Sequence, residues 1–492
     1  MVLKQCTPEE QNVDSAAIER MFDYWDEMNT HVHSCAIMRG GKLISLRTWE
    51  PYKADSLHML NSMSKTFTSI GVMYAIQEGL FDEEDYVISF FPDVCSDVKI
   101  CDNMKRVKIK HLLTMTTGHY PDNADFIISD PNPVKAFLSS EISLEPGTKF
   151  VYNTGATYML SLIIGKVTGK SLADYLTPRL FEPLNIKKLF WESDSDGNSY
   201  GGFGLNIDIL SAVKTGQFLL DRGCVDGKYL LSPELIDKAT SAIVPTVNME
   251  GQAWLDELRK CKEWQPSDWD CGYGWQIWRC VYNGAYRADG AFGQYCVVVP
   301  EHDLVVAVFS GSECSQYLLK GIWDCLIPGI ECCNSVIGDS AICKKRKSEF
   351  TFGLSVPEDQ DTESLFGEAY SVPDNTLGIK VIRLVSYGLT VFELNNGSYE
   401  IKSGYNEWIY NDLGFDVPKC SFPFVLRPYS HLNAAYAFYG SEYKIRLLCD
   451  GYAYYHEMKM MKNGDDMLFV CRQYPGGDSF EVKCTKIKGK DC

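Results

Sequence analysis

Ser62-Met63-Ser64-Lys65 sets a hydroxyl and an amine three residues apart at the head of an apolar, helix-patterned run. Positions i and i+3 share a helix face, so the Lys65 amine can reach the Ser62 oxygen. A serine hydroxyl is a poor nucleophile until a neighbouring base takes its proton. A lysine can be that base only if burial or nearby positive charge keeps part of it neutral. A helix N-terminus also offers backbone N–H groups that can hold an oxyanion. Ser and Lys are common, so the four residues mean little without their context.

A lysine-activated serine needs a second group to protonate the leaving group. Tyr152, in Lys149-Phe150-Val151-Tyr152-Asn153-Thr154-Gly155, falls on a loop just before a helix. Held near a protonated Lys65, its pKa would fall and it could serve as base or acid. The alternative is a tyrosine packed at a domain edge.

The elements that must position these groups can be traced by periodicity. Asp14 or Ser15 can cap a first helix carrying Ile18, Met21, Phe22, Trp25 and Met28. Cys35–Arg39, Gly40-Gly41 and Lys42–Arg47 read as a hairpin. A long helix from about Ser62 to Gly79 presents Phe67, Ile70, Met73 and Tyr74 on its apolar face. Helical signals then dominate to about residue 240, with Leu160, Ile163, Ile164 and Val167 as one stripe. Strands return at Tyr295–Val299 and Leu304–Phe309. That order predicts a sheet built from both ends of the segment around an inserted helical lobe. After a polar break at residues 333–350, alternation dominates, with turns at Asn395-Asn396-Gly397 and Lys462-Asn463-Gly464-Asp465. This predicts an all-β domain, a barrel or sandwich.

With 492 residues the chain exceeds one ordinary domain. Hydrophobic residues at 45% and charged ones at 23% fit a globular protein. The net charge of −18 argues against nucleic acid and anionic membranes as partners. Met1-Val2-Leu3-Lys4-Gln5-Cys6 lacks the apolar core of a secretory signal, and no run reaches transmembrane length. The expectation is a cytoplasmic protein whose 19 cysteines are free thiols.

Ser62-Met63-Ser64-Lys65 followed by Thr66-Phe67-Thr68-Ser69 resembles the first motif of the serine β-lactamase and penicillin-binding-protein superfamily, in its class C-like branch. Further stretches agree in order: Pro51-Tyr52, Leu57-His58, Glu78-Gly79-Leu80, Phe91-Pro92, the run Ile109–His119, Tyr152-Asn153-Thr154-Gly155, Val167–Leu172 and Phe181-Glu182-Pro183-Leu184. The resemblance covers roughly residues 10–330 and, as a set, is highly specific. It implies Ser62 as nucleophile, Lys65 as base, and Tyr152 as the second proton-handling group, in the Tyr-Asn-Ser-like form of esterase and amidase members. Asn153, Thr154 and, in the loop after Thr117-Gly118, His119 are then candidate site-lining residues.

The third motif of that superfamily is Lys or His, any residue, then Gly, on an edge strand. The literal Lys214-Thr215-Gly216 lies in a helical pattern and is read as a decoy. Arg287-Ala288-Asp289-Gly290-Ala291-Phe292-Gly293-Gln294 stands just before the returning strands and is the better placed candidate. By the resemblance, Asp289 and Gly290 line the site and the Ala291 N–H is the second oxyanion donor beside that of Ser62. Two departures weigh against β-lactams and D-Ala-D-Ala peptides. Ala288 replaces the basic residue that holds a substrate carboxylate, and Thr154 stands where many β-lactamases have Asn. Arg287 is expected to be a solvated edge charge, because side chains alternate along a strand.

Other lookalikes are set aside. Gly165–Ser171 is one residue short of a phosphate loop and follows a helix. His31, His33 and Cys35 alternate on one strand face without an evident fourth ligand, so a structural role is expected and no metal. Cys332-Cys333 is expected to be unpaired. A Trp-rich stretch, Trp254, Trp264, Trp269 and Trp275, could wall the site or simply pack the lobe.

The reading is therefore an α/β (α+β) catalytic domain over 1–332, a β-lactamase/DD-peptidase-like antiparallel sheet flanked by helices with a helical lobe. A linker over 333–352 and an all-β accessory domain over 353–492 follow. The resemblance implies a serine hydrolase that cleaves an ester or amide of a small molecule or short peptide through a Ser62 acyl-enzyme, without cofactor. A β-lactamase or D-Ala carboxypeptidase, an acyltransferase and a non-catalytic ligand-binding member are the alternatives. A homodimer is one role the C-terminal domain would allow.

Overall fold

The computed structural model describes residues 1–246, 267–331, 343–346, 360–395, 397–413, 431–439, 441–449, 451–477 and 479–488. Trp254, Trp264, Cys332 and Cys333 lie outside them. The chain divides into two units. The first comprises residues 1–48, 54–310 and 314–345, and the second residues 49–53, 311–313 and 346–492.

The main sheet of the first unit takes strands from both its ends. Its order is Lys4–Gln5, Lys42–Trp49, Val32–Arg39, Leu304–Ser310, Gln294–Val299, Tyr286–Gly290 and Trp278–Arg279, with Cys343–Arg346 paired to Lys42–Trp49. Along that order each pairing is antiparallel except that of Lys4–Gln5 with Lys42–Trp49. The long-range join is Leu304–Ser310 on Val32–Arg39, with Ala307 opposite Ala36. Both strands are almost wholly buried: Leu304–Phe309 is a continuous apolar run, whereas Val32–Arg39 buries the polar His33 and Ser34 ahead of its apolar stretch Cys35–Met38.

Helix Ser15–Glu27 is capped by the Asp14 side chain, which accepts from the Ala16 N–H. It buries Ile18, Met21, Phe22 and Trp25, and the Trp25 indole donates to Leu318 O at 3.1 Å. Helix Ile209–Leu220 lies directly on the sheet. A Cβ at Gly216 would stand 2.4 Å from Cys296 Sγ and 2.5 Å from Val305 Cγ1, so only glycine permits this approach. Lys214-Thr215-Gly216 is therefore helical, as expected of a decoy.

The helix after the serine runs Ser64–Gln77, and a 3-10 turn over Asn61–Met63 precedes it. Every residue from Ser64 to Ala75 is buried, not only the stripe the periodicity predicts. The helix is central: a Cβ on Gly71 would press on Leu172 and Ile164 from other helices. Two short helices, Ala124–Ser129 and Pro133–Ser139, follow His119.

The second unit contains an eleven-stranded sheet, antiparallel except where Gly404–Tyr405 runs parallel to His431–Tyr439. Its first and last long strands meet, Tyr370 opposite Lys486. At the other end, Asn411 bonds both the N–H and the C=O of Lys402 at 2.8 Å, drawing the ladder toward a barrel. Tyr370, Ile382, Phe392, Tyr443, Met460 and Phe469 fill its interior.

Candidate active site

The site is assembled around the turn at Asn61. This residue is in the left-handed region at φ 49°, which asparagine tolerates better than most side chains. Its carbonyl accepts from Ser64 Oγ at 2.7 Å, and Ser64 Oγ in turn accepts from the Leu205 N–H at 3.1 Å. The peptide between Asn61 and Ser62 is thus held from behind.

Lys65 projects from the first turn of the Ser64–Gln77 helix and is 1% exposed. Its Nζ lies 2.9 Å from Ser62 Oγ, 3.1 Å from Thr154 Oγ1 and 2.8 Å from Gly202 O. The carbonyl can only accept. In a neutral amine, with two hydrogens and one lone pair, the lone pair must therefore face a hydroxyl. Burial lowers Lys65 to about 7, with the charges of Asp122 and Asp289 pulling back toward the ammonium. A hydroxyl at 2.9 Å from an amine that is partly neutral near pH 7 has the arrangement that activation of a serine by lysine requires.

The Tyr152 ring lies under Lys65, with Nζ 4.8 Å from the ring centre, and its hydroxyl hydrogen-bonds Ser62. Trp278 stacks on the same ring at 5.9 Å. The lowered pKa expected for Tyr152 is corrected here: it is raised. Burial is the dominant cause, the bond to Ser62 opposes it, and Asp289 and Asp122 add to it. Tyr152 therefore keeps its proton throughout the neutral range and is suited to donate rather than accept.

The other residues singled out in sequence separate into two groups. Thr154 holds Lys65, whereas Asn153 is fully buried and structural: its Oδ1 caps helix Thr154–Thr168 through the Ala156 N–H at 3.1 Å, and its Nδ2 bonds Asn123 Oδ1 at 3.0 Å. His119 is 1% exposed and bonded to Thr117 Oγ1 and Ser140 Oγ at 2.9 and 2.7 Å, so it fastens its loop internally. His33 likewise bonds a neighbour, His58, at 2.9 Å. Among the described residues no cluster of three or more His, Cys, Asp or Glu is arranged to hold a metal, and no helix is long and apolar enough to cross a membrane.

Strand Tyr286–Gly290 brings the third-motif candidate to the turn over Asn61–Met63. A Cβ at Gly290 would stand 2.2 Å from Leu60 O and 3.0 Å from the Met63 nitrogen, so backbone meets backbone there. Arg287 is not the solvated edge charge expected from alternation. It is 0% exposed, paired with Asp289 at 2.8 Å, bonded to Asp268 O and Arg279 O, and set against the Trp269 ring at 4.9 Å. The sheet face opposite Ala288 is covered, so the guanidinium is enclosed.

Two positions escaped sequence reasoning. Gly202 supplies the carbonyl for Lys65, and a Cβ on it would crowd Thr154 Cγ2 at 2.6 Å. Gln276 ties the serine helix to its neighbour, accepting from Thr66 Oγ1 at its carbonyl (3.0 Å) and from Thr157 Oγ1 at Oε1 (2.7 Å). The glycine spacing of Gly201-Gly202-Phe203-Gly204 was the available signal for the first. A lone glutamine offered none for the second.

An antiparallel sheet built from both ends of the unit, with a Ser-x-x-Lys pair at a buried helix start and a tyrosine against it, defines a penicillin-binding-protein-like fold. The sequence pattern of the family described as Beta-lactamase matches residues 21–315, more than half of the chain, and the chain belongs to that family. Members of the family are serine hydrolases. Penicillin-binding protein 4* of Bacillus subtilis (strain 168) is 27% identical over 149 residues, covering 28% of this chain and 31% of its own length. A beta-lactamase of Escherichia coli (strain K12) is 24% identical over 300 residues, covering 54% of this chain and 78% of its own. The match thus spans under a third of the Bacillus relative. A solved penicillin-binding protein homologue from Caulobacter crescentus shares the fold at TM-score 0.51 and 14% identity, over 66% of this chain and 99% of that one.

Proposed function

We propose that this protein hydrolyses an ester or amide of a small molecule or short peptide through an acyl-enzyme on Ser62. The observation that carries the reading is the 2.9 Å contact between Ser62 Oγ and a buried Lys65 lowered to about 7. Ser62 Oγ attacks the substrate carbonyl while its proton passes to neutral Lys65. The N–H groups of Ser62 and Ala291 hold the oxyanion. As the tetrahedral centre collapses, Tyr152 donates its proton to the leaving alcohol or amine and recovers one from the Lys65 ammonium. The net transfer runs from Ser62 through Lys65 to the leaving group. Lys65 is then neutral again and accepts a proton from the water that attacks the ester, and Ser62 recovers its own on release.

Arg287 is buried and committed to Asp289, and Ala288 carries no charge. This favours substrates without a carboxylate beside the scissile bond, in contrast to β-lactams. The test is intact-mass analysis after treatment with a fluorophosphonate probe or with a penicillin. One fluorophosphonate adduct, absent in Ser62→Ala, is the expected result. Labelling that survives Ser62→Ala removes the nucleophile assignment, and a stable penicillin adduct moves the substrate class to β-lactams.

A further inference from the structure

The two proposed oxyanion donors lie 229 positions apart in sequence, on a turn and on a strand end. Something must fix their separation, because such donors act only if they converge on the place where charge develops. One side chain spans the two segments. Asn61 Nδ2 donates to Ala291 O at 3.0 Å, and the residue is fully buried.

Asn61 is tied to both donors. Its own carbonyl belongs to the same peptide as the Ser62 N–H. That carbonyl is held by Ser64 Oγ at 2.7 Å, and in a trans peptide the N–H then points the opposite way. Its side-chain amide reaches across to Ala291, the residue that carries the second N–H. The Ala291 carbonyl also accepts from Gln294 Nε2 at 3.1 Å. Gln294 is anchored at the neighbouring strand by Ser310 O at 2.7 Å, and Ser310 Oγ bonds Phe292 O at 2.6 Å. The turn Ala291–Gly293 is thus clamped from the strand side by Gln294 and from the nucleophile side by Asn61. The close backbone contact at Gly290 leaves no slack between them. The Asn61 Oδ1 finds no partner among the described residues. A buried, half-satisfied amide costs stability, which points to a task other than stability for this side chain.

We infer that Asn61 is a positioning residue that sets the spacing of the Ser62 and Ala291 N–H groups, so that it governs transition-state stabilisation and not substrate binding. This rests on the reading of Ser62 as nucleophile. Two variants separate the amide from the backbone. Asn61→Gly keeps the left-handed conformation and removes the bond. Asn61→Asp keeps size and conformation but turns an acceptor toward Ala291 O.

The experiment measures kcat and KM on an uncharged p-nitrophenyl ester and the affinity for an arylboronic acid, which forms a tetrahedral adduct on the nucleophile. The expected result is a fall in kcat of about tenfold to a hundredfold in both variants, scaled from the loss of one oxyanion donor. KM should change little, and boronate affinity should fall in parallel with kcat. If the left-handed backbone were all that Asn61 supplies, Asn61→Gly would match the wild type, which would overturn the inference. So would a fall in kcat with boronate affinity unchanged, or a loss confined to KM. Should either variant fail to accumulate folded, the other alone decides. Ser62→Ala serves as control: if it retains turnover, the nucleophile reading fails, whereas an inactive Ser62→Ala beside a fully active Asn61→Gly fails only the positioning role.

Discussion

Lys65 Nζ stands 2.9 Å from Ser62 Oγ on a residue that is 1% exposed, so in the proposed mechanism the protonation state of one buried amine governs the nucleophile. Because burial lowers this lysine to about 7, kcat/KM on an uncharged ester should rise with pH to a plateau, with a midpoint near that value. Asp122 favours the ammonium form. Asp122→Asn should therefore shift the midpoint to lower pH while leaving the plateau close to wild type. A pH–rate profile of both proteins checks this, and an unmoved midpoint would detach Lys65 from the acid limb.

The same depressed lysine has a consequence for stability, with a definite sign. Below about 7 it is protonated in both folded and unfolded chains, and the folded state bears the full cost of a buried charge. Between about 7 and the ordinary 10.5 the unfolded chain binds more protons, so stability rises with pH across that window. Lys65→Met removes the titrating group. Thermal midpoints across the window should climb more steeply for wild type than for Lys65→Met, and parallel curves would contradict the buried-amine assignment.

Tyr152, held in its neutral form by burial, is assigned to the leaving group. An amide needs that proton far more than an activated phenyl ester does. Tyr152→Phe should then lower amide turnover by about 10²–10⁴, the usual range for a general acid, and activated-ester turnover much less. Paired assays on an anilide and a p-nitrophenyl ester of the same acyl group give the ratio. Equal losses on both would instead make Tyr152 part of the base.

What could be read in advance follows from the range of each contact. Ser62 and Lys65 are three residues apart, so helix geometry alone brings them together, and the resemblance supplied Tyr152. That one sheet draws strands from both ends of the unit was also legible, from the hairpin over Cys35–Arg47 and the apolar run Leu304–Phe309, but the pairing of Val32–Arg39 with Leu304–Ser310 came only from the structure. Asn61 with Ala291, and Lys65 with Gly202, were not: each contact closes more than 130 positions and carries no local signature. His119 and Asn153 were assigned to the site by their neighbourhood in the motifs, but polar side chains near a site are as often spent bonding the loops that carry it. The sign of the Tyr152 shift turned on burial, which periodicity does not reveal on a loop.

Arg287 is the sharpest of these cases, and it yields a test of how the sheet edge is held. A charged residue on a short strand near a site reads as solvent-facing, yet Arg287 is 0% exposed and Asp289 is its ion-pair partner at 2.8 Å. Removing one member of a buried pair leaves the other charge without compensation, so Arg287→Met should cost about 3–5 kcal/mol. Arg287→Lys should rescue little of this. The guanidinium also donates to Asp268 O at 3.1 Å and Arg279 O at 2.8 Å, and it lies against Trp269 and Trp278, a planar fork an ammonium cannot reproduce. The double variant Arg287→Met/Asp289→Leu removes both charges and should regain much of the loss. Urea unfolding followed through tryptophan fluorescence measures all three. Because Trp278 stacks on Tyr152, Arg287→Met should also reduce amide turnover more than fluorophosphonate labelling of Ser62. A variant as stable as wild type would show that the pair is not what anchors the Tyr286–Gly290 strand.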